Sequence, residues 1–217
     1  MTTSWHFTDG TVLPVGTMYC IGRNYAAHAR EMGAEIVADP IVFLKPPAAY
    51  RRDNADVALP SFSQDVHHEV ELVVVIGHDT DGCTAEEAWR FIAGVTVGID
   101  LTARDIQSAA KKNGHPWAVA KSWAGSAPCG VVIPSHACGQ GPWDLQLLID
   151  GAIRQQSSTG LMERSVEQLV AYLSSVFTLR AGDCIFTGTP EGVGPVRAGQ
   201  IAKASLNDLV TLTTRFT

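Results

Sequence analysis

The run His67-His68-Glu69-Val70-Glu71-Leu72-Val73-Val74-Val75-Ile76 constrains this chain most, because it sets two carboxylates into what otherwise reads as a buried strand. Successive strand side chains point to opposite faces, so Glu69 and Glu71 share a face, roughly 7 Å apart along the chain. Val73 and Val75 continue that face, while Val70, Leu72, Val74 and Ile76 line the other. Beyond the pair the strand is apolar on both sides, as expected of a strand covered on both faces. Two unpartnered carboxylates about 6 Å apart repel by roughly 3 kcal/mol at an effective dielectric near 20, before any desolvation cost. Either the pair lies at a solvated strand end, or a cation offsets the penalty.

A third carboxylate favours the cation. Asp100 closes another apolar run, Gly94-Val95-Thr96-Val97-Gly98-Ile99-Asp100. Carboxylates without cysteine or paired histidine suit Mg²⁺, Mn²⁺ or Ca²⁺ better than Zn²⁺, and Mg²⁺ would keep positions open for water and substrate. His67 and His68 fit equally a ligand, a support behind the ligands, or packed core residues.

The chain has 217 residues, enough for one substantial core, and nothing marks a boundary, so residues 1–217 read as one domain. A net charge of −6 offers no electrostatic footprint for nucleic acid. The longest apolar run, Leu72 to Gly77, is far shorter than the roughly 20 residues of a membrane span. No basic segment leads into an apolar one at the N-terminus, and the expectation is a soluble, cytoplasmic protein without membrane partners. Five cysteines (Cys20, Cys83, Cys129, Cys138, Cys184) lack any C-x-x-C pair and read as reduced, structural thiols.

Strand-like runs dominate: Met18 to Ile21, Ile41 to Leu44, Glu69 to Ile76, Gly94 to Asp100, Leu145 to Ile149, Cys184 to Thr187 and Val210 to Phe216. Capping boxes at Thr84–Glu87 and Ser165–Gln168 open helices through Phe91 and to about Val176. Tyr25 to Met32 and Ala103 to Lys112 are further helical segments, and Asp150-Gly151 predicts a hairpin turn. The order is not a regular βαβα alternation. It predicts an α+β, mainly β fold, a curled, rolled mixed sheet with peripheral short helices.

His28 and Glu31 are three apart on the helix ending at Gly33, so a carboxylate there would orient an imidazole as a base; a solvent-facing ion pair fits the spacing as well. Lys121 follows Trp117-Ala118-Val119-Ala120 and precedes Ser122-Trp123. A stem buried among these would keep its ammonium charged beside carboxylates as an oxyanion clamp; the alternative is a surface lysine at a strand end. Arg104, Asp105 and Gln107 open a helix just past Asp100, where Arg104 could grip a substrate carboxylate. The loop Thr187-Gly188-Thr189-Pro190-Glu191-Gly192-Val193-Gly194-Pro195 lacks the Lys-Ser/Thr ending of a phosphate-binding loop, and its backbone is expected to approach a ligand. No G-x-S-x-G elbow is present, which disfavours a serine nucleophile.

These segments, with Ile21-Gly22-Arg23-Asn24-Tyr25, Phe43-Leu44-Lys45-Pro46, Pro116-Trp117 and Ala120-Lys121-Ser122, make the chain resemble the fumarylacetoacetate hydrolase family, in its short single-domain acylpyruvate hydrolase branch. The resemblance implies the family's rolled sheet, a homodimer, and Mg²⁺ or Mn²⁺ on Glu69, Glu71 and Asp100, with His67 and His68 not binding the ion. It implies a water-activating dyad of His28 and Glu31 on a lid helix that orders with substrate, a catalytic Lys121, and substrate contacts from Arg23, Arg104, Gln107 and Thr189. The activity implied is hydrolysis of a 3-acylpyruvate to pyruvate and a carboxylic acid; oxaloacetate decarboxylation or tautomerisation is the alternative at the same site. Arg23 and Arg30 favour a substrate with a distal carboxylate, such as fumarylpyruvate. A silent binding protein on this fold would be expected to have lost one of these groups, and all are present.

Overall fold

A strand apolar on both faces requires two cores, and the computed structural model, which describes residues 3–33 and 38–217, supplies both. Among the described residues the main sheet runs Ile41–Lys45, Met18–Gly22, Cys184–Phe186, Val70–Ile76, Ile92–Ile99, Ala127–Cys129, Tyr50–Arg52. Its pairing is mixed: Cys184–Phe186 lies parallel to Met18–Gly22, and Ala127–Cys129 parallel to Tyr50–Arg52, the rest antiparallel. Val70, Leu72, Val74 and Ile76 pack with Leu145, Leu147, Leu206 and Leu212 of a second, antiparallel sheet and with Leu169 and Leu173 of the helix Val166–Val176. Val73 and Val75 belong to the other core, with Trp5, Met18, Cys20, Tyr50 and Phe186. The result is a curled mixed sheet with short helices at its edges.

Local chemistry explains most boundaries. Ser165 Oγ accepts from Gln168 N and Gln168 Oε1 from Ser165 N, closing the expected capping box. Thr84 starts a helical stretch too, but Ala85–Arg90 is a tighter 3₁₀ helix rather than an α-helix. Asp150 (φ 51°) and Gly151 (φ 81°) form the turn between Asp144–Ile149 and Ala152–Ser158, both left-handed as a two-residue hairpin demands. The helices Ala26–Glu31 and Arg104–Asn113 fall within a residue of their expected limits. All five cysteines are unpaired, and Cys20, Cys129, Cys138 and Cys184 are buried. Among the described residues no helix is long and apolar enough to cross a membrane.

Gly98 faces Glu71 across the central ladder, and a β-carbon there would meet Val73 Cγ2 at 2.7 Å and Phe186 Cε1 at 2.8 Å. Gly98→Ala is therefore expected to destabilise the fold by about 1–3 kcal/mol through overpacking, read from urea denaturation midpoints.

Candidate active site

Both acidic strands end at the same place. Glu69 occupies the one-residue break between Val66–His68 and Val70–Ile76, Glu71 is the second residue of the latter strand, and Asp100 follows Ile92–Ile99. The ladder pairs Val70 with Ile99 and Glu71 with Gly98, and Asp100 N donates to Glu69 O at 2.8 Å. The break at Glu69 corrects the continuous Glu69–Ile76 strand. It arises because Val66–His68 leaves the main sheet to pair with Thr102–Ala103 and Gly194–Pro195. One carboxylate oxygen from each of Glu69, Glu71 and Asp100 lies within 4.8 Å of the others, and all three residues are buried.

Three cations are buried against them. Lys121, 2 % exposed, sends Nζ to Glu69 Oε2 at 2.6 Å and Asp100 Oδ2 at 2.5 Å. Arg104 Nη2 reaches Glu69 Oε1 at 2.5 Å, and Lys45 Nζ reaches Asp100 Oδ1 at 2.9 Å. Burial alone would raise the Glu69 carboxyl, but the charges of Lys121 and Arg104 outweigh it and hold the group below the usual carboxylate range. Glu71 goes the other way. Burial, then the charges of Asp100 and Glu69, push it well above that range, and its hydrogen-bond partner is Gly188 N at 2.6 Å. A buried carboxylate pushed toward neutrality by two neighbouring anions is what a divalent ion would relieve, and three hard oxygens fit Mg²⁺ or Mn²⁺. The site is therefore that of a metal-dependent enzyme.

His28, 8 % exposed, places Nδ1 3.2 Å from Glu31 Oε2. The Gly192 amide donates to both oxygens of Glu31, at 3.1 and 3.2 Å. The glycine-rich loop thus anchors both a triad carboxylate, through Gly188, and the carboxylate beside His28, through Gly192. Thr189 of this loop, whose backbone was expected to approach a ligand, lines the neighbouring cavity. A cavity of about 180 Å³ is lined by His28, Glu69, Glu71, Lys121 and by all four expected contact residues, Arg23, Arg104, Gln107 and Thr189. Arg23 takes φ 60°, a left-handed conformation strained for a residue with a β-carbon. Arg104 donates to Gln107 Oε1 at 2.8 Å as well as to Glu69, so its guanidinium is already engaged by the chain's own acceptors.

Some neighbours turn elsewhere. Asp105 accepts from Ser63 Oγ and Gln64 N, away from the triad, and Arg30 is exposed and does not line the cavity. His67 pairs with Asp65 at 3.0 Å and His68 with Gln155 Oε1 at 3.0 Å, outside the triad. Burial keeps both imidazoles below the usual histidine range.

Three supports escaped the sequence reading. Lys45 is fully buried, bonded also to Ser126 and to the carbonyl of Lys121, although a lysine closing the apolar run Ile41-Val42-Phe43-Leu44 was a signal. Asn24 Nδ2 donates to Thr187 O and Arg164 O, fixing the chain ahead of the His28 helix. Gln155 Oε1 accepts from Val70 N and pairs with His68, while its Nε2 donates to Thr189 Oγ1 and Pro190 O. Gln155→Met should cost about 1–3 kcal/mol of folding free energy for the buried Val70 amide it orphans, measured by chemical denaturation.

The model of the fumarylacetoacetate (FAA) hydrolase C-terminal family matches residues 17–217. The oxaloacetate tautomerase YcgM of Escherichia coli K12 is 41% identical over 214 residues, covering 97% of each chain. The human mitochondrial oxaloacetate tautomerase FAHD1 is 38% identical over 196 residues, 89% of this chain and 88% of that protein. Among solved structures, the fumarylpyruvate hydrolase of Pseudomonas aeruginosa, in complex with Mn²⁺ and pyruvate, superposes with a TM-score of 0.95 at 38% identity, covering 100% of this chain and 96% of that one.

Proposed function

The chain belongs to the fumarylacetoacetate hydrolase family, and from that premise we propose that it hydrolyses the carbon–carbon bond of a 2,4-dioxo acid to pyruvate and a carboxylic acid. The observation that carries this reading is one cavity lined by Glu69 and Glu71 of the buried carboxylate triad and by His28, the imidazole paired with Glu31. Glu69, Glu71 and Asp100 would hold Mg²⁺ or Mn²⁺, which when bound supplies Lewis-acid polarisation of the 2-oxo acid end of the substrate.

The chain's own residues do the rest. Glu31, fixed by the Gly192 amide, accepts from His28 Nδ1 and so leaves Nε2 free to take a proton from water. The hydroxide adds to the 4-carbonyl, and the Lys121 ammonium stabilises the oxyanion that forms. Collapse of the adduct breaks the bond between carbons 3 and 4, releasing the carboxylic acid and a pyruvate enolate. His28, now protonated, is placed to return the proton to carbon 3. Thr189 and Gln107 line the same space and are assigned to substrate binding.

A second reading is favoured by a specific finding, the oxaloacetate tautomerases at 41% and 38% identity. Keto–enol interconversion of oxaloacetate needs only proton transfer at carbon 3, and decarboxylation would deliver the same enolate. Metal-stripped protein incubated with acetylpyruvate, fumarylpyruvate and oxaloacetate, with and without Mg²⁺, separates these outcomes by product NMR. Hydrolysis predicts pyruvate plus acetate or fumarate only with Mg²⁺. Conversion of oxaloacetate alone would replace hydrolysis with the second reading, and turnover independent of metal would remove both.

A further inference from the structure

The cavity has a cation that neither the triad nor the dyad uses. Lys111 lines it beside Arg23, with Nζ 5.2 Å from the centroid of the Trp117 ring. It stands on the helix Arg104–Asn113 at the seventh position after Arg104, with Gln107 between them, so the three share one helix face. Arg104 and Gln107 are buried and Lys111 is exposed. This face therefore leads from the triad, where Arg104 touches Glu69, out to the mouth, about 10 Å along the axis at 1.5 Å per residue. Phe43, Met32 and Trp117 line the cavity as well, and the Phe43 and Trp117 rings lie 5.9 Å apart, an apolar flank for a carbon chain.

Electrostatics says what belongs at the mouth. Among the described residues no carboxylate forms an ion pair with Lys111, whose ammonium lies over the Trp117 ring. Partial desolvation, then the positive fields of Arg104 and Arg23, hold its ammonium below the usual lysine range. An anion arriving there would be attracted by two cations at once. Resting on the reading of this cavity as a 2-oxo acid site, we infer that Lys111 is a specificity-determining residue that receives the distal carboxylate of a dianionic substrate, with the 2-oxo acid end at the triad. Of Arg23 and Arg30, to which charge alone assigned that role, Arg23 lines the cavity beside Lys111 and Arg30 is exposed outside it.

Mg²⁺-loaded protein titrated calorimetrically with 2-oxoheptanedioate and with 2-oxoheptanoate tests this without turnover, since the two share a carbon skeleton and differ in the distal carboxylate. The wild type is expected to prefer the diacid about tenfold, the range of one charge-assisted contact at a solvated site. Lys111→Met should erase that preference, Lys111→Arg should keep it, and Lys112→Met, removing the same charge from the same helix end outside the cavity, should leave it unchanged. Equal binding of the two acids by the wild type, or an unchanged preference in Lys111→Met, would overturn the assignment. Binding of neither acid would overturn it together with the 2-oxo acid reading. Retained preference without hydrolysis of fumarylpyruvate would support Lys111 and refute hydrolysis alone.

Discussion

Glu71→Gln is expected to abolish Mg²⁺-dependent turnover while leaving the metal-free protein as stable as the wild type, or slightly more so. Glu71 is 1 % exposed, and the charges of Asp100 and Glu69 disfavour its ionised form on top of burial. Glutamine has nearly the same shape and can still accept from Gly188 N, so the apo fold loses nothing it depended on. The metal site loses a charged donor, while Lys45, Lys121 and Arg104 keep their positive charge against the two carboxylates that remain. A ligand present at about a hundred times its dissociation constant stabilises a fold by about 2.7 kcal/mol, so the wild type should show a clear rise in Tm with Mg²⁺. Glu71→Gln should show none. Asp100→Asn and Glu69→Gln are the contrast, because each takes a charged carboxylate away from two buried cations, Lys121 and Lys45 or Lys121 and Arg104, a loss of about 3–5 kcal/mol even without metal. If Glu71→Gln destabilised the apo protein as much as Asp100→Asn, the three carboxylates would be equivalent structural partners, and the metal assignment would lose its footing.

That asymmetry among the carboxylates shows what was legible in advance. The pair Glu69 and Glu71 stood out because anions in a doubly buried strand demand an explanation, and Asp100 stood out for the same reason. Their ranking was hidden, since it depends on where Lys121, Arg104 and Lys45 end, residues 52, 35 and 55 positions from their partners. Lys45 shows how a local signal can be present and still be passed over. At the end of an apolar run a lysine looks like a solvated strand terminus, yet here the strand end lies over the triad and the ammonium reaches Asp100. Gln155 carried no signal at all. It sits in the polar run Arg154-Gln155-Gln156, and only the docking of that strand against Val70 and Thr189 makes it the buried member. The fold was more readable than the site's supports, because strand and helix limits follow from near neighbours: the capping box at Ser165 and the left-handed turn at Asp150-Gly151.

The dyad yields the other large effect. His28→Ala is expected to lower kcat for hydrolysis of an acylpyruvate by about 10²–10⁴, the range that general-base catalysis supplies, with Mg²⁺ affinity unchanged. The separation follows from geometry: His28 is not among the three residues whose oxygens converge, and its partner Glu31 is held by Gly192 rather than by the triad. Glu31→Gln should fall between the wild type and His28→Ala, because an amide oxygen can still accept from Nδ1 but carries no charge to stabilise the imidazolium that forms. The two readings of the site then part company. In hydrolysis the base must activate a water, and no group on the substrate can replace it. In decarboxylation of oxaloacetate no water is activated, so His28→Ala should slow it far less than hydrolysis, whereas tautomerisation, which moves a proton at carbon 3, should fall with the dyad. Measuring the three reactions on the same variant therefore assigns the residue as well as the reaction. Full hydrolytic activity in His28→Ala would sink the dyad assignment, and the 3.2 Å contact with Glu31 would then be a structural ion pair on a helix surface.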